Sequence, residues 1–281
     1  MAQKTSVNIK PCNIGSSEEH NRRKAEYLAR VNKEKLYIRT ELMTRNEAWV
    51  APDFGGTSLS ERYNQIAAMV KEKTGRAMQT KDRERVNKKT GKVTVVRGST
   101  PLKEGVVVIK DDTTMEQLRR FCEVCKERWG ITALQIFIHR DEGHYGTPGE
   151  TATWKPNLHA HIVWDWMNHD TGKSCKLDEK AMSDMQTLLA ECLDMERGSS
   201  KEQTGKEHLE RADFIIAKHK RIAAAEGVPV RVRMAEHQYI VMFAQQVRRT
   251  GNINQHFHLL SARQASSLYS CRVQQSCRRQ I

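Results

Sequence analysis

The chain has 281 residues, enough to bury one sizeable core. Its formal net charge of +13 points to a polyanionic partner, and an aromatic content of 6% argues against an RNA reader that works mainly by stacking. Residues 1–20 hold no apolar run and no segment approaches the ~20 apolar residues of a membrane span, so the sequence reads as cytoplasmic.

The first predicted element is a helix from about Ser16 to Val31, opened by Ser16-x-x-Glu19 in the form of a capping box. Residues 36–50 fit strand and helix equally. Residues 59–74 read as helix, from Ser60 through Gln65, Ala68 and Val70. A basic stretch follows: residues 71–103 hold 11 Lys or Arg and 3 Asp or Glu, a net of +8, with Thr94-Val-Val as a short strand inside it.

Gly105-Val-Val-Val-Ile-Lys110 is a buried strand, and Asp111-Asp112-Thr113 leads into a helix over 114–129. A further helix is predicted over about 178–195. The order strand, helix, strand, loop, strand, helix implies an α+β fold, an antiparallel sheet with helices on one side. Residues 1–200 form one domain in this reading, 201–236 a charged helical extension. Residues 237–281 contain six arginines and no Asp, Glu or Lys, a basic tail that is either disordered or altered.

Seven cysteines at irregular spacing do not make a disulfide framework. Cys122 and Cys125 share a helical stripe with Met115, Leu118, Phe121 and Trp129, and Cys192 shares one with Met182, Met185, Leu188 and Leu189. Buried reduced thiols are expected at these positions.

Three histidines carry the chemistry. In Leu134-Gln-Ile-Phe-Ile-His139, strand alternation puts Leu134, Ile136 and Ile138 on one face and Gln135, Phe137 and His139 on the other. In Leu158-His-Ala-His-Ile-Val-Trp164, His159, His161 and Val163 share a face opposite Leu158, Ala160, Ile162 and Trp164. Antiparallel pairing of the two strands brings His139, His159 and His161 together. Three neutral imidazoles bind a divalent transition metal and leave positions open for a substrate oxygen. Imidazole ligands favour Mn²⁺ or a later transition metal over Mg²⁺.

A second constellation surrounds His20, placed in the first turn of the predicted helix. Arg23 and Lys24 fall at i+3 and i+4 and Tyr27 at i+7, on one face. The helix N-terminus adds positive potential suited to a phosphate, and neighbouring cations keep His20 neutral.

Together, His20-Asn-Arg-Arg23, Gly105-Val-Val-Val-Ile, His139-Arg-Asp-Glu142, His159-Ala-His161 and Met195-Glu-Arg-Gly198 occur in the order seen in plasmid mobilisation relaxases. The chain resembles the MobV type, also called Pre/Mob plasmid recombination enzymes, within the HUH endonuclease superfamily, over roughly residues 10–220. The resemblance implies that His20 is the nucleophile and Arg23 its arginine partner. It implies that His139, His159 and His161 hold the metal, with Glu142 as the acidic residue beside them. Tyr27 and Tyr37 are the alternative nucleophiles. Two departures stand out: residues 143–158, with His144, Tyr145, Pro148 and Trp154, form an insertion before His159, and the family's long helical C-terminal region is missing or replaced after about residue 230.

The implied reaction is the metal-dependent nicking of single-stranded DNA beside a hairpin at an origin of transfer. The 5′-phosphoryl group would stay covalently on the protein. Implied partners are that DNA and a type IV secretion coupling protein, in a bacterium carrying a mobile element. The basic stretch would track DNA through Arg76, Lys81, Arg83, Arg85, Lys88, Lys89 and Lys92, together with Lys24. Two other readings compete: a rolling-circle replication initiator, disfavoured because residues 178–195 contain no tyrosine, and a non-catalytic DNA-binding module stabilised by a structural metal.

Overall fold

A computed structural model of the protein describes residues 3–30, 37–145, 151–199 and 217; of Tyr37 it describes the backbone alone. Backbone contacts divide the chain into a unit over Met1–Thr204 and another over Gly205–Ile281. The expected extension over 201–236 and tail over 237–281 lie outside the described residues, Ala217 apart.

With strands and helices numbered in chain order, the central sheet has the spatial order β2 (Val7–Pro11), β7 (Leu102–Val108), β11 (His159–Asp165), β8 (Thr132–His139), β4 (Glu47–Val50). All four pairings are antiparallel. One face is covered by α4 (Met115–Trp129) and α5 (Glu179–Leu193). A capping box between Thr114 and Gln117 starts α4, and Gly130, at φ 72°, ends it in the left-handed conformation that glycine adopts without cost. Leu118, Phe121, Cys122 and Cys125 of α4 and Met185, Leu188, Leu189 and Leu193 of α5 pack on Val107, Ile136, Ile138, Ala160, Ile162 and Trp164. Gly105 is required here: a Cβ at that position would lie 2.5 Å from the Trp164 ring. The described cysteines Cys12, Cys122, Cys125, Cys175 and Cys192 are all free thiols.

Helices flank both sides of the sheet, not one. On the second face α3 (Leu59–Thr74) and the turn Pro52–Phe54 place Phe54, Leu59, Ile66 and Val70 against Leu102, Leu134 and Val163. The cause is a β-bulge. Val163 pairs with Gln135, whereas Trp164 pairs with Ala133, leaving Leu134 as the extra residue. Strict alternation puts Leu134 with Ile136 and Ile138; the bulge turns it to the opposite face and gives that face an apolar anchor for α3.

The N-terminal helix also differs from its sequence reading. It begins earlier, as α1 (Ile14–Asn21), with Asn13 accepting from the Ser16 backbone, and it breaks before α2 (Ala25–Arg30). At the break Arg23 takes φ 50°, a left-handed conformation costing about 1–2 kcal/mol in a non-glycine residue. His20 therefore lies in the last turn of a helix rather than its first, which removes the expected helix-N-terminal phosphate site.

Residues 36–50, ambiguous in the sequence, resolve into β3 (Tyr37–Ile38), a 3₁₀ turn over Thr40–Arg45 and β4. Beyond β8, β9 (Glu142–Tyr145) and β10 (Trp154–Pro156) join β3 in a three-stranded sheet. The basic stretch contains a separate hairpin, β5 (Arg83–Val86) with β6 (Val93–Val96). Two further short pairs are β12 (Met167–Asn168) with β13 (Lys173–Ser174), and β1 (Lys4–Thr5) parallel to β14 (Glu196–Arg197). No helix among the described residues is long and apolar enough to cross a membrane.

Candidate metal centre

The register of β8 and β11 sets His139 directly across from His159, with His161 two residues further along the same face of β11. The last turn of α1 adds a fourth imidazole that strand alternation does not reveal. One ring nitrogen from each of His20, His139, His159 and His161 falls within 4.8 Å of the others. His20 packs 5.2 Å from His139 and 4.9 Å from His161, centroid to centroid.

Each of the three sheet histidines has its far nitrogen tied to an oxygen, which fixes the tautomer. His139 Nε2 donates to the Asn21 carbonyl at 3.2 Å, His159 Nδ1 to the Asn157 carbonyl at 2.7 Å, and His161 Nδ1 to Glu104 Oε1 at 2.8 Å. This leaves lone pairs on His139 Nδ1, His159 Nε2 and His161 Nε2. The buried His139 Nδ1 has no hydrogen-bond partner. An orphaned imidazole nitrogen in a cluster of imidazole lone pairs fits a divalent cation.

The charge states agree. Burial first, then neighbouring imidazoles and Arg23, pushes His20 down to about 2 and His139 well below the usual histidine range. Burial also lowers His159, against the opposing charge of Glu142. Neutral rings are what a metal requires.

Carboxylates frame the cluster. Glu142 sits among the histidines, 3.3 Å from His20 Nε2, 3.7 Å from His139 Nδ1 and 3.5 Å from His159 Nε2. Glu142 faces the cluster, and His144 is exposed and outside it. Glu104 is the residue that the sequence reading missed. It accepts from His161, from Ser17 Oγ at 2.5 Å and from Asn21 Nδ2 at 2.9 Å. Burial alone would raise its pKa; these hydrogen bonds prevail and hold it down to about 2.

Arg23 is placed in the site, but its fork is already occupied. Nε and Nη2 bond Asp141 at 2.9 and 2.8 Å, Nη2 also bonds Glu142 at 2.5 Å, and Nη1 bonds the His20 carbonyl at 2.8 Å. It positions Glu142 and closes α1 rather than presenting a free guanidinium to a phosphate. Tyr27 meets His20 at a distance of 2.7 Å, Oη to Nδ1, and burial raises its pKa. Tyr37 contributes its backbone to β3, paired with Gly143; its side chain lies outside the described residues.

The basic residues are all exposed: Lys24 after α1, Arg76 after α3, Lys81 before the hairpin, Arg83 and Arg85 on β5, and Lys88, Lys89 and Lys92 in its turn.

Fold and site together define an α+β protein whose five-stranded antiparallel sheet and helix α1 bring together a four-histidine cluster able to hold a metal ion. No family model, no curated protein and no solved structure matches the chain.

Proposed function

We propose that the protein is a metal-dependent DNA relaxase similar to the MobV (Pre/Mob) type, which nicks single-stranded DNA beside a hairpin at an origin of transfer. In this reading it mobilises a plasmid or transposon and works in the bacterial cytoplasm with a type IV secretion coupling protein. One observation carries the reading. His20, delivered by a separate helix, sets Nε2 3.3 Å from His161 Nε2 and is the most exposed of the four imidazoles, its side chain 19% exposed.

His139 Nδ1, His159 Nε2 and His161 Nε2 would hold the ion, with Mn²⁺ preferred on ligand grounds over Mg²⁺. A divalent ion bound there offsets charge on the scissile phosphate. In this reading His20 carries its proton on Nδ1, 2.7 Å from Tyr27 Oη, and keeps the Nε2 lone pair for attack. A bond forms from Nε2 to phosphorus as the bond to the 3′ oxygen breaks. That oxygen leaves as an alkoxide and takes a proton from water to become a 3′-hydroxyl, while the 5′-phosphoryl group remains on His20 and the imidazolium's Nδ1 proton is released to solvent past Tyr27. Glu142 and Arg23 hold the cluster's geometry.

A second reading rests on the same four nitrogens. If His20 is a fourth ligand, the coordination sphere is closed and the metal is structural, in a DNA-binding module without catalysis. Incubation with a labelled single-stranded origin oligonucleotide and Mn²⁺, followed by a denaturing gel, separates the two. A metal-dependent, acid-labile adduct that is lost in His20→Ala supports the relaxase. Tight binding with no adduct, together with metal-dependent folding, supports the module.

A further inference from the structure

The histidine face of the sheet is covered unevenly. At one end Leu102, Leu134 and Val163 lie under α3, and in the middle α1 closes over the imidazoles. On β7 the covering stops: Val106 is 39% exposed and Val108 is 44% exposed. Both belong to a strand with neighbours on either side, where large aliphatic side chains are ordinarily covered.

Their register gives the two valines a direction. Val106 pairs with His161 and Val108 with His159, so they extend the histidine face outward from the metal centre. They adjoin the open side of the cluster, because His161 is more exposed than His139 or His159. On the edge strand β2, Asn8 pairs with Val106 and Lys10 with Glu104, which places the exposed Lys10 at the rim of the same face. An apolar ledge with a cation at its margin, continuous with a site for a phosphate, matches the chemistry of a nucleotide: an apolar sugar and base face beside an anionic group.

Building on the proposed function, we propose that Val106 and Val108 seat the sugar and base of the nucleotide adjoining the scissile phosphate, with Lys10 facing the next phosphate along the strand. The single strand then leaves the metal centre across β7 toward β2. These residues bind and position; they do not take part in bond making.

The test is a binding cycle. Single-stranded origin oligonucleotides carrying an abasic residue at successive positions around the nick are titrated against the full chain and against Val106→Thr/Val108→Thr, which keeps β-branched residues at exposed positions. The expected result is about tenfold weaker binding by the variant. At one abasic position next to the nick that difference should disappear, since ledge and base have been removed together. Lys10→Gln should lower the salt dependence of binding by the equivalent of about one phosphate. Equal affinities for variant and wild type, or effects that add at every abasic position, would overturn the ledge while leaving the relaxase reading intact. Failure of the wild-type chain to bind any single strand would overturn both.

Discussion

His161 Nδ1 donates to Glu104 Oε1 at 2.8 Å, a bond between neighbouring strands that fixes which nitrogen of His161 faces the cluster. Oxygen acceptors behind metal-bound imidazoles typically contribute 10–100-fold to metal affinity. Glu104→Gln retains an acceptor of the same shape but loses the charge, and should weaken Mn²⁺ binding about tenfold with little change in fold. Isothermal titration of the chelator-treated protein, beside its circular dichroism spectrum, measures both. Unchanged affinity would remove Glu104 from the site.

Arg23 joins two buried carboxylates, Asp141 and Glu142, and its removal strands both. Breaking a buried pair from one side costs about 3–5 kcal/mol. Arg23→Ala should therefore lower the thermal midpoint strongly. Arg23→Lys should recover only part of it, because an ammonium cannot copy the planar fork. Differential scanning calorimetry of the two variants distinguishes a positioning role from a surface one, for which neither midpoint would move.

Tyr27 has two possible roles that one variant separates. As the hydrogen-bond partner of His20 Nδ1, its conversion to Phe should slow nicking about tenfold while leaving an acid-labile adduct. As the nucleophile itself, conversion to Phe would abolish the adduct, and the wild-type linkage would be acid-stable.

Metal-free protein should lose stability as pH falls, in two stages. His20, His139 and His159 have pKa values lowered from 6.5 in the folded state, so unfolding takes up protons below about pH 6.5 and stability declines as pH drops. Glu104 is lowered from 4.5 to about 2, so its contribution is complete above pH 4.5 and is lost between that value and about 2. Urea midpoints between pH 8 and 5 should fall with a slope above one proton, and saturating Mn²⁺ should raise the curve. A flat profile would mean that the imidazoles are not buried together.

The hairpin β5–β6 offers a surface test. Lys88 and Lys89 are exposed in its turn, so Lys88→Glu/Lys89→Glu should leave the thermal midpoint in place. DNA affinity should drop, and the slope of log affinity against log salt should shrink by about 0.7–0.9 for each phosphate that the variant no longer neutralises. An unchanged slope would make this stretch a solvated face.

The sheet-borne half of the histidine cluster was legible in the sequence because strand alternation is local. His139, His159 and His161 needed only a period of two and an antiparallel pairing. Sequence also placed α3, α4 and α5 within a residue or two, and the structure caps them with Ser58, Thr114 and Asp178. It could not place His20. The Ser16-x-x-Glu19 pattern competed with Asn13 for the helix start, and Asn13 prevailed, moving His20 from the first turn to the last. There the carbonyls at the end of α1 receive His139 and Arg23, and His139 lies 118 residues along the chain from the carbonyl it meets. Glu104 drew no assignment from the sequence, since nothing local shows that Ser17, Asn21 and His161 converge on it. Periodicity thus determined which side chains share a face. Only tertiary packing decided what stands opposite that face, because a buried charge takes its partners from wherever the fold brings a donor.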